Sequence, residues 1–256
     1  MQTHAPQERA IEAGELLTVI IPCLNEQSTL QATVEDILAV APQLPLDLEI
    51  LMIDDGSTDG TRRVMAQLCE KHDCCRTKLN AINRGQGRSI LTTYDELEPG
   101  TWVTVVPGDN EFDFESILGF LELREAHDVI LGFFSNPVIR PFSRRLASAA
   151  FTTVANALYG FRFRYLNGMK LYRVDAFRGI DVVSSGHAFN AELLAKAVLR
   201  NPRLRIGQAP FLARGRAHGS SKAFRPSSML KAVWDVIHGY RSVSEFRRRV
   251  IAEGGR

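Results

Sequence analysis

Two short acidic turns hold the residues best suited to chemistry. The first, Asp54-Asp55-Gly56-Ser57-Thr58-Asp59-Gly60-Thr61, ends an apolar run from Glu49 to Ile53. The second, Pro107-Gly108-Asp109-Asn110-Glu111, ends a run from Trp102 to Val106. A carboxylate at a strand end accepts hydrogen bonds from a ribose, as acids do in dinucleotide folds. Alternate acids just past a strand, such as Asp109 and Glu111, converge on one hard cation; Mg²⁺ takes one or two carboxylates plus substrate phosphates. A plain turn uses the same residue types, because Asp, Gly and Ser favour bends and helix caps. Repetition of the pattern at two strand ends favours a site for a nucleotide and a divalent metal.

Three further segments carry chemistry more weakly. In Asn83-Arg84-Gly85-Gln86-Gly87 two glycines let backbone N–H groups approach an anion at a helix start. No Gly-Lys-Ser/Thr follows, which excludes a Walker loop. In Arg216-Ala217-His218-Gly219-Ser220-Ser221-Lys222 two cations flank a small turn that could close over a pyrophosphate. His187 and His218 titrate near neutrality if unperturbed. The cluster Cys69-Glu70-Lys71-His72-Asp73-Cys74-Cys75 fits no standard zinc spacing and reads as a helix end running into a strand.

The elements that must position these groups alternate in type. Leu16 to Pro22 reads as a buried strand, followed by a helix capped by Asn25 or Ser28, with Leu30, Val34, Ile37 and Leu38 at helical spacing. Strands are expected over Leu48–Ile53, Lys78–Ile82, Trp102–Val106 and Asp128–Phe133, with helices over Thr61–Cys69, up to about Leu97, and Phe114–Ala126. That alternation predicts an α/β fold: a mostly parallel sheet with helices on both faces. Right-handed crossovers place the loops after the strands on one edge. Beyond Pro141 come an amphipathic helix over Phe142–Tyr159, a strand over Tyr165–Tyr172, a helix over Ala188–Arg200, a strand over Leu204–Leu212 and a helix over Ser227–Val250. Residues 1–15 read as a loose tail.

At 256 residues the chain is long enough for a full core. The formal net charge of +2 carries no nucleic-acid signature, and none is expected as a partner. The basic residues are nevertheless clustered, at Arg140, Arg144 and Arg145 and in the last ten residues, Arg247 to Arg256, which hold four arginines and one glutamate. Phosphate or a membrane surface suits such clusters. Met1 to Glu15 has no apolar segment of a signal peptide, and no run of about 18 apolar residues occurs. A cytoplasmic setting with free thiols is therefore the expectation.

These segments, in this order, resemble the family 2 glycosyltransferases, within them the dolichol- and polyprenyl-phosphate mannose synthase group. The likeness spans about residues 16–225. It rests on Val19-Ile20-Ile21-Pro22-Cys23-Leu24-Asn25-Glu26, Ile53 to Thr61, Asn83 to Gly87 and Asp109 to Glu111. It rests also on Arg144-Arg145-Leu146-Ala147-Ser148, Asn167-Gly168-Met169-Lys170-Leu171-Tyr172, Ala188 to Leu194 and the Arg216/Gly219/Ser221/Lys222 loop.

The resemblance implies a GT-A fold over 16–225 followed by a C-terminal amphipathic helix over 226–256. It implies inverting transfer of a hexose from a nucleotide-sugar donor, with Mg²⁺ or Mn²⁺ as cofactor. Pro22, Leu24, Glu26, Ile53 and Asp55 would frame the nucleoside, and Gly108 and Asp109 would face the phosphates and sugar. Asp109 and Glu111 would hold the metal, and Arg216 and Lys222 would grip the diphosphate or an acceptor phosphate. The acceptor it implies is a polyprenyl phosphate, reached by peripheral contact with the inner face of a membrane, through Trp234, Val236, Ile237 and the arginines of the last helix, or through a membrane subunit. A hydroxyl acceptor, such as a small molecule or glycan, would need a base, for which Glu192 is the candidate. Three positions depart from the family: Pro107 replaces the first acid of Asp-x-Asp, Phe134 a common arginine, and Arg164 a common acid. They leave room for a soluble transferase or a non-catalytic nucleotide-sugar-binding protein.

Overall fold

A computed structural model describes residues 16–186, 188–214 and 226–254. One seven-stranded sheet runs in the order β3-β2-β1-β4-β6-β5-β7. Its strands are β1 (Leu16–Cys23), β2 (Asp47–Asp54), β3 (Cys75–Leu79), β4 (Trp102–Val105), β5 (Val129–Phe134), β6 (Lys170–Arg173) and β7 (Ile206–Phe211). All pairings are parallel except those of β6, which runs antiparallel between β4 and β5. The helices are α1 (Leu30–Val40), α2 (Thr61–Lys71), α3 (Gln86–Tyr94), α4 (Ile117–Leu121), α5 (Phe142–Tyr159), α6 (Ala188–Arg200) and α7 (Pro226–Gly254).

The central strand β1 is buried on both sides, which its near-continuous apolar sequence requires. Alternation splits its side chains between two cores. Leu17, Val19 and Ile21 meet Leu30, Val34 and Ile37 of α1 and Met65 and Leu68 of α2. On the opposite face Ile20 joins Ile53 and Val103, covered by Ile90 and Tyr94 of α3 and by Leu193 and Leu194 of α6. Helices thus cover both faces, as the sequence pattern predicts.

Four local expectations are corrected. Strand β3 ends at Leu79, because its register is set by Ile50↔Cys75 through Asp54↔Leu79, and Ile82 lies beyond it, exposed. The helix expected over Phe114–Ala126 opens as a 3₁₀ turn, and after Leu121 its bonds tighten to i→i+3, as in Leu123 N–H to Phe120 O and Ala126 N–H to Leu123 O. The strand expected from Tyr165 begins only at Lys170. Before it, Asn156 of α5 holds Phe163 through its amide, which keeps that stretch off the sheet. Finally, neither Asn25 nor Ser28 caps α1; Asn25, at φ 61, accepts the Thr58 N–H at 2.9 Å instead.

Candidate active site

Parallel pairing brings the ends of β1, β2 and β4 to one sheet edge. Ile53 sits beside Pro22 in register, so the turns after Asp54 and after Cys23 are neighbours. They are stitched together from both sides. Glu26 donates its N–H to Thr61 Oγ1 at 2.9 Å, and Gly60 donates its own to Gln27 Oε1 at 2.7 Å. The Glu26 carboxylate accepts the Thr29 hydroxyl at 2.9 Å, and Leu24 is exposed beside it.

The two adjacent acids of the first turn divide the work. Asp54 is fully buried; it accepts the N–H groups of Gly56 and Ser57 and the Arg62 Nε at 2.7 Å. Burial alone would raise its carboxyl, but these Ser57 and Arg62 contacts hold it below the ordinary range. Asp55 reaches the other way, accepting Arg84 N–H and Gly85 N–H at 2.9 Å, Ser89 Oγ at 2.7 Å and Asn80 Nδ2 at 3.2 Å. The amides of the glycine loop, expected to receive a ligand anion, thus already hold one: the Asp55 carboxylate. Gly56 makes this approach possible. It sits at φ +85, and a Cβ there would lie 2.8 Å from the Asn83 nitrogen.

The second acidic turn is held by α1 and by the segment after β7. Thr33 donates its hydroxyl to Gly108 O at 3.2 Å, and a Cβ on Gly108 would press on Glu26 at 3.3 Å. Arg214 donates its N–H to Glu111 O at 2.8 Å, while its guanidinium pairs with Asp36 and Asp113 at 2.6 and 2.9 Å. Asp109 accepts the Glu111 N–H at 3.2 Å. The Glu111 carboxylate meets Arg144 of α5 at 3.3 Å.

Asp109 and Glu111 open onto a cavity of ≈ 1420 Å³ between the glycine loop, α5, α6 and the segment leading into β6. Among the described residues they are its sole acids, and no histidine lines it. Six cations do: Arg84, Arg88, Arg140, Arg144, Lys170 and Arg214. No cluster of three metal-ligating side chains occurs among the described residues. Two carboxylates facing a cavity that would admit phosphates are nevertheless a sufficient protein donor set for Mg²⁺ or Mn²⁺. Deeper in, the wall turns apolar, with Leu131, Phe151, Leu166, Phe177, Val182 and Leu193.

The departures seen in the sequence have local explanations. The Phe134 ring packs on Tyr165 and Phe211 at 5.0 and 4.5 Å, and Arg140 stacks over it at 4.5 Å. Arg164 lies 3.6 Å over the Phe133 ring.

Glu192 does not fit the task of base. It is fully buried, ion-paired to Lys196 at 2.7 Å, and accepts the Ser184 N–H at 2.8 Å and the Ser184 hydroxyl. Burial would raise its carboxyl, yet Lys196 and Ser184 hold it below the usual range, the opposite of what a base near neutrality needs. Lys196 in turn donates to Asp181 O and Ser242 Oγ, tying α7 to α6. Arg216, Lys222, His187 and His218 lie outside the described residues. The sequence marks Arg144 in a basic cluster and in the Arg144-to-Ser148 motif, and Lys170 in the Asn167-to-Tyr172 motif, but neither signal says where the cation points.

Comparison with known proteins follows this geometry. The model of the family "Glycosyl transferase family 2" matches residues 18–194. A dodecaprenyl-phosphate galacturonate synthase of Rhizobium johnstonii is 25% identical over 86% of this chain, which spans 65% of that protein's length. A dolichol-phosphate mannosyltransferase of Saccharomyces cerevisiae is 25% identical over 80% of each chain. Among solved structures, glucosyl-3-phosphoglycerate synthase of Mycobacterium tuberculosis with phosphoglyceric acid superposes with a TM-score of 0.66 over 94% of this chain and 85% of its own, at 18% identity. The same enzyme with Mn²⁺, UDP and product gives a TM-score of 0.63 at 18% identity, over 94% of this chain and 86% of its own.

Proposed function

The chain belongs to glycosyl transferase family 2, and from that premise we propose that it moves a hexose, with inversion, from a nucleoside-diphosphate sugar to the phosphate of a polyprenyl phosphate. One observation carries this reading: the composition of the cavity. Apart from Asp109 and Glu111 no described carboxylate or histidine lines it, while six cations and a set of apolar side chains line the rest. An acceptor whose nucleophilic oxygen is already anionic needs no base. A phosphate attached to a prenyl chain matches both halves of that wall.

In the reaction the acceptor phosphate oxygen attacks the anomeric carbon, forming the new C–O bond as the bond to the nucleoside diphosphate breaks. Asp109 and Glu111 would hold a divalent cation, which when bound neutralises charge on the departing diphosphate. Pro22, Leu24 and Glu26 are assigned to the nucleoside from the family likeness, as is Ile53, whose own side chain is fully buried beside Pro22, and Asp55 fixes the glycine loop. Arg144 contributes positive charge where the leaving group and acceptor phosphate meet. Arg216 and Lys222 are assigned the same role from the family likeness.

Access to a lipid also has a surface to support it. Val138, Ile139, Phe142 and Leu146, at the start of α5, are exposed, beside Arg140 and Arg145. An apolar face edged by arginines suits an anionic membrane surface. On α7, Trp234 and Ile237 are likewise exposed, although the helix is packed on α6. No described helix is long and apolar enough to cross a membrane.

A thermal-shift panel of nucleoside diphosphates and their sugars, with and without Mn²⁺, tests the donor half. Ligand binding the native state raises Tm. The expected result is a metal-dependent rise for one nucleotide class, abolished by Asp109→Ala. A rise that ignores metal and survives this substitution overturns the reading. Flotation with anionic vesicles and an acceptor screen test the lipid half; turnover with a soluble glycan and not with a prenyl phosphate would replace it.

A further inference from the structure

Lys170 opens β6 on the sheet edge that carries the acidic turns, paired in register with Leu131 of β5. Its side chain forms part of the cavity wall. The ammonium donates to Gly168 O at 3.0 Å, and no carboxylate stands within 4.0 Å of it among the described residues. A lysine ammonium has three donors, so one backbone carbonyl leaves two of them open. Burial pulls the group down to about 8, without an acidic neighbour to oppose the shift.

The contrast with Lys196 is informative. That lysine is fully buried where Lys170 is half-buried; it does not line the cavity, and it carries Glu192, Asp181 O and Ser242 Oγ as partners. A structural buried lysine in this fold is thus fully satisfied by the protein. Lys170, half-buried in the cavity wall, keeps two donors open, and withdrawing an unpaired charge from water is costly. Gly168 keeps this arrangement tight: a Cβ there would lie 2.7 Å from Gly132 O and 2.6 Å from the Phe211 ring.

We propose that Lys170 is the anion-recognition residue of the reactant cavity, its ammonium pairing with a phosphate or carboxylate oxygen carried by one of the two reactants. The inference rests on the transferase reading above. The anion is either the phosphate of the acceptor or a carboxylate on the transferred sugar, and the two sources separate experimentally.

Equilibrium binding is measured for wild type, Lys170→Met and Lys170→Arg, with Mn²⁺ present throughout. The probes are farnesyl phosphate, farnesol, UDP, UDP-glucose and UDP-glucuronate. Lys170→Met is expected to weaken farnesyl phosphate at least tenfold while leaving farnesol and UDP unchanged, with Lys170→Arg retaining most of the affinity. A loss confined to UDP-glucuronate assigns the anion to the sugar instead. NMR on the wild-type protein gives a second readout that depends on no variant folding: the lysine resonance titrating near pH 8 moves upward when the anionic probe is bound and stays put with the neutral one. Equal binding by wild type and Lys170→Met, or an unmoved lysine titration, overturns the inference and leaves the transferase reading standing. A wild-type protein that binds no nucleotide or nucleotide sugar removes both.

Discussion

Asp55, expected to frame a nucleoside, spends its carboxylate on the protein itself. Its place after a strand marks it as a site residue, and the structure puts it at the site edge. Its four hydrogen bonds, however, run to the glycine loop and the start of α3. Two of those donors are backbone amides: Asp55 accepts the Arg84 N–H, and it shares the Gly85 N–H with Asn83 Oδ1. Asp55→Ala should therefore destabilise the fold by about 2–3 kcal/mol, the cost of leaving buried polar groups without partners. Urea unfolding measures this, and donor affinity should fall further than the stability loss explains, because the loop bearing Arg84 and Arg88 is released. Unaltered donor affinity in the folded variant would show that the loop does not frame the ligand. Spacing made Asp109 and Glu111 legible as a pair. Arg144, thirty-odd positions on, is legible as a charge and a motif residue, but its partner Glu111 is not, since sequence distance says nothing of which acid it meets.

Among the elements, α6 and α7 set the surroundings of Glu192. A glutamate near a helix start with Lys196 four residues on reads equally as a site acid or as an i,i+4 pair. The packing of α7 decides, because Ser242 and the loop carbonyl of Asp181 enclose Lys196 and leave the pair without solvent. Breaking a buried pair from one side exposes the cost of the other charge. Glu192→Ala should cost about 3–5 kcal/mol, read as a lowered midpoint in chemical denaturation. Turnover per folded molecule and the pH–rate profile should be unchanged; a missing acid limb would restore Glu192 as a base. The antiparallel β6 is the other element-scale lesson. Its reversed direction brings its first residue, Lys170, rather than its last, to the site edge, and strand direction is invisible to a pattern of alternating side chains.

Across the whole molecule, acid sensitivity follows from where the carboxylates sit. Asp54, Asp59, Asp128 and Glu192 are all held below their ordinary range by hydrogen bonds and cations of the folded state, Arg205 in the case of Asp128. Below that range the unfolded chain takes up protons first, so the stability these groups add is complete above about pH 4–5 and is lost as pH falls through their folded values. Tm measured from pH 6 down to pH 3 should fall steeply below about 4.5, and Asp54→Asn should flatten that fall. The sequence by itself determined the mostly parallel α/β sheet with helices on both faces and the family, because strand-and-turn periodicity and short motifs are local. The tertiary structure alone decided which partner each charge takes: Asp55 with the glycine loop, Glu111 with Arg144, Glu192 with Lys196, Arg140 upon Phe134, and Lys170 with none but a carbonyl. The Asp55 and Glu111 pairings join segments far apart in the chain, and even the local ones, Glu192 with Lys196 and Arg140 upon Phe134, depend on burial and distance, which exist only once the sheet has closed over its helices.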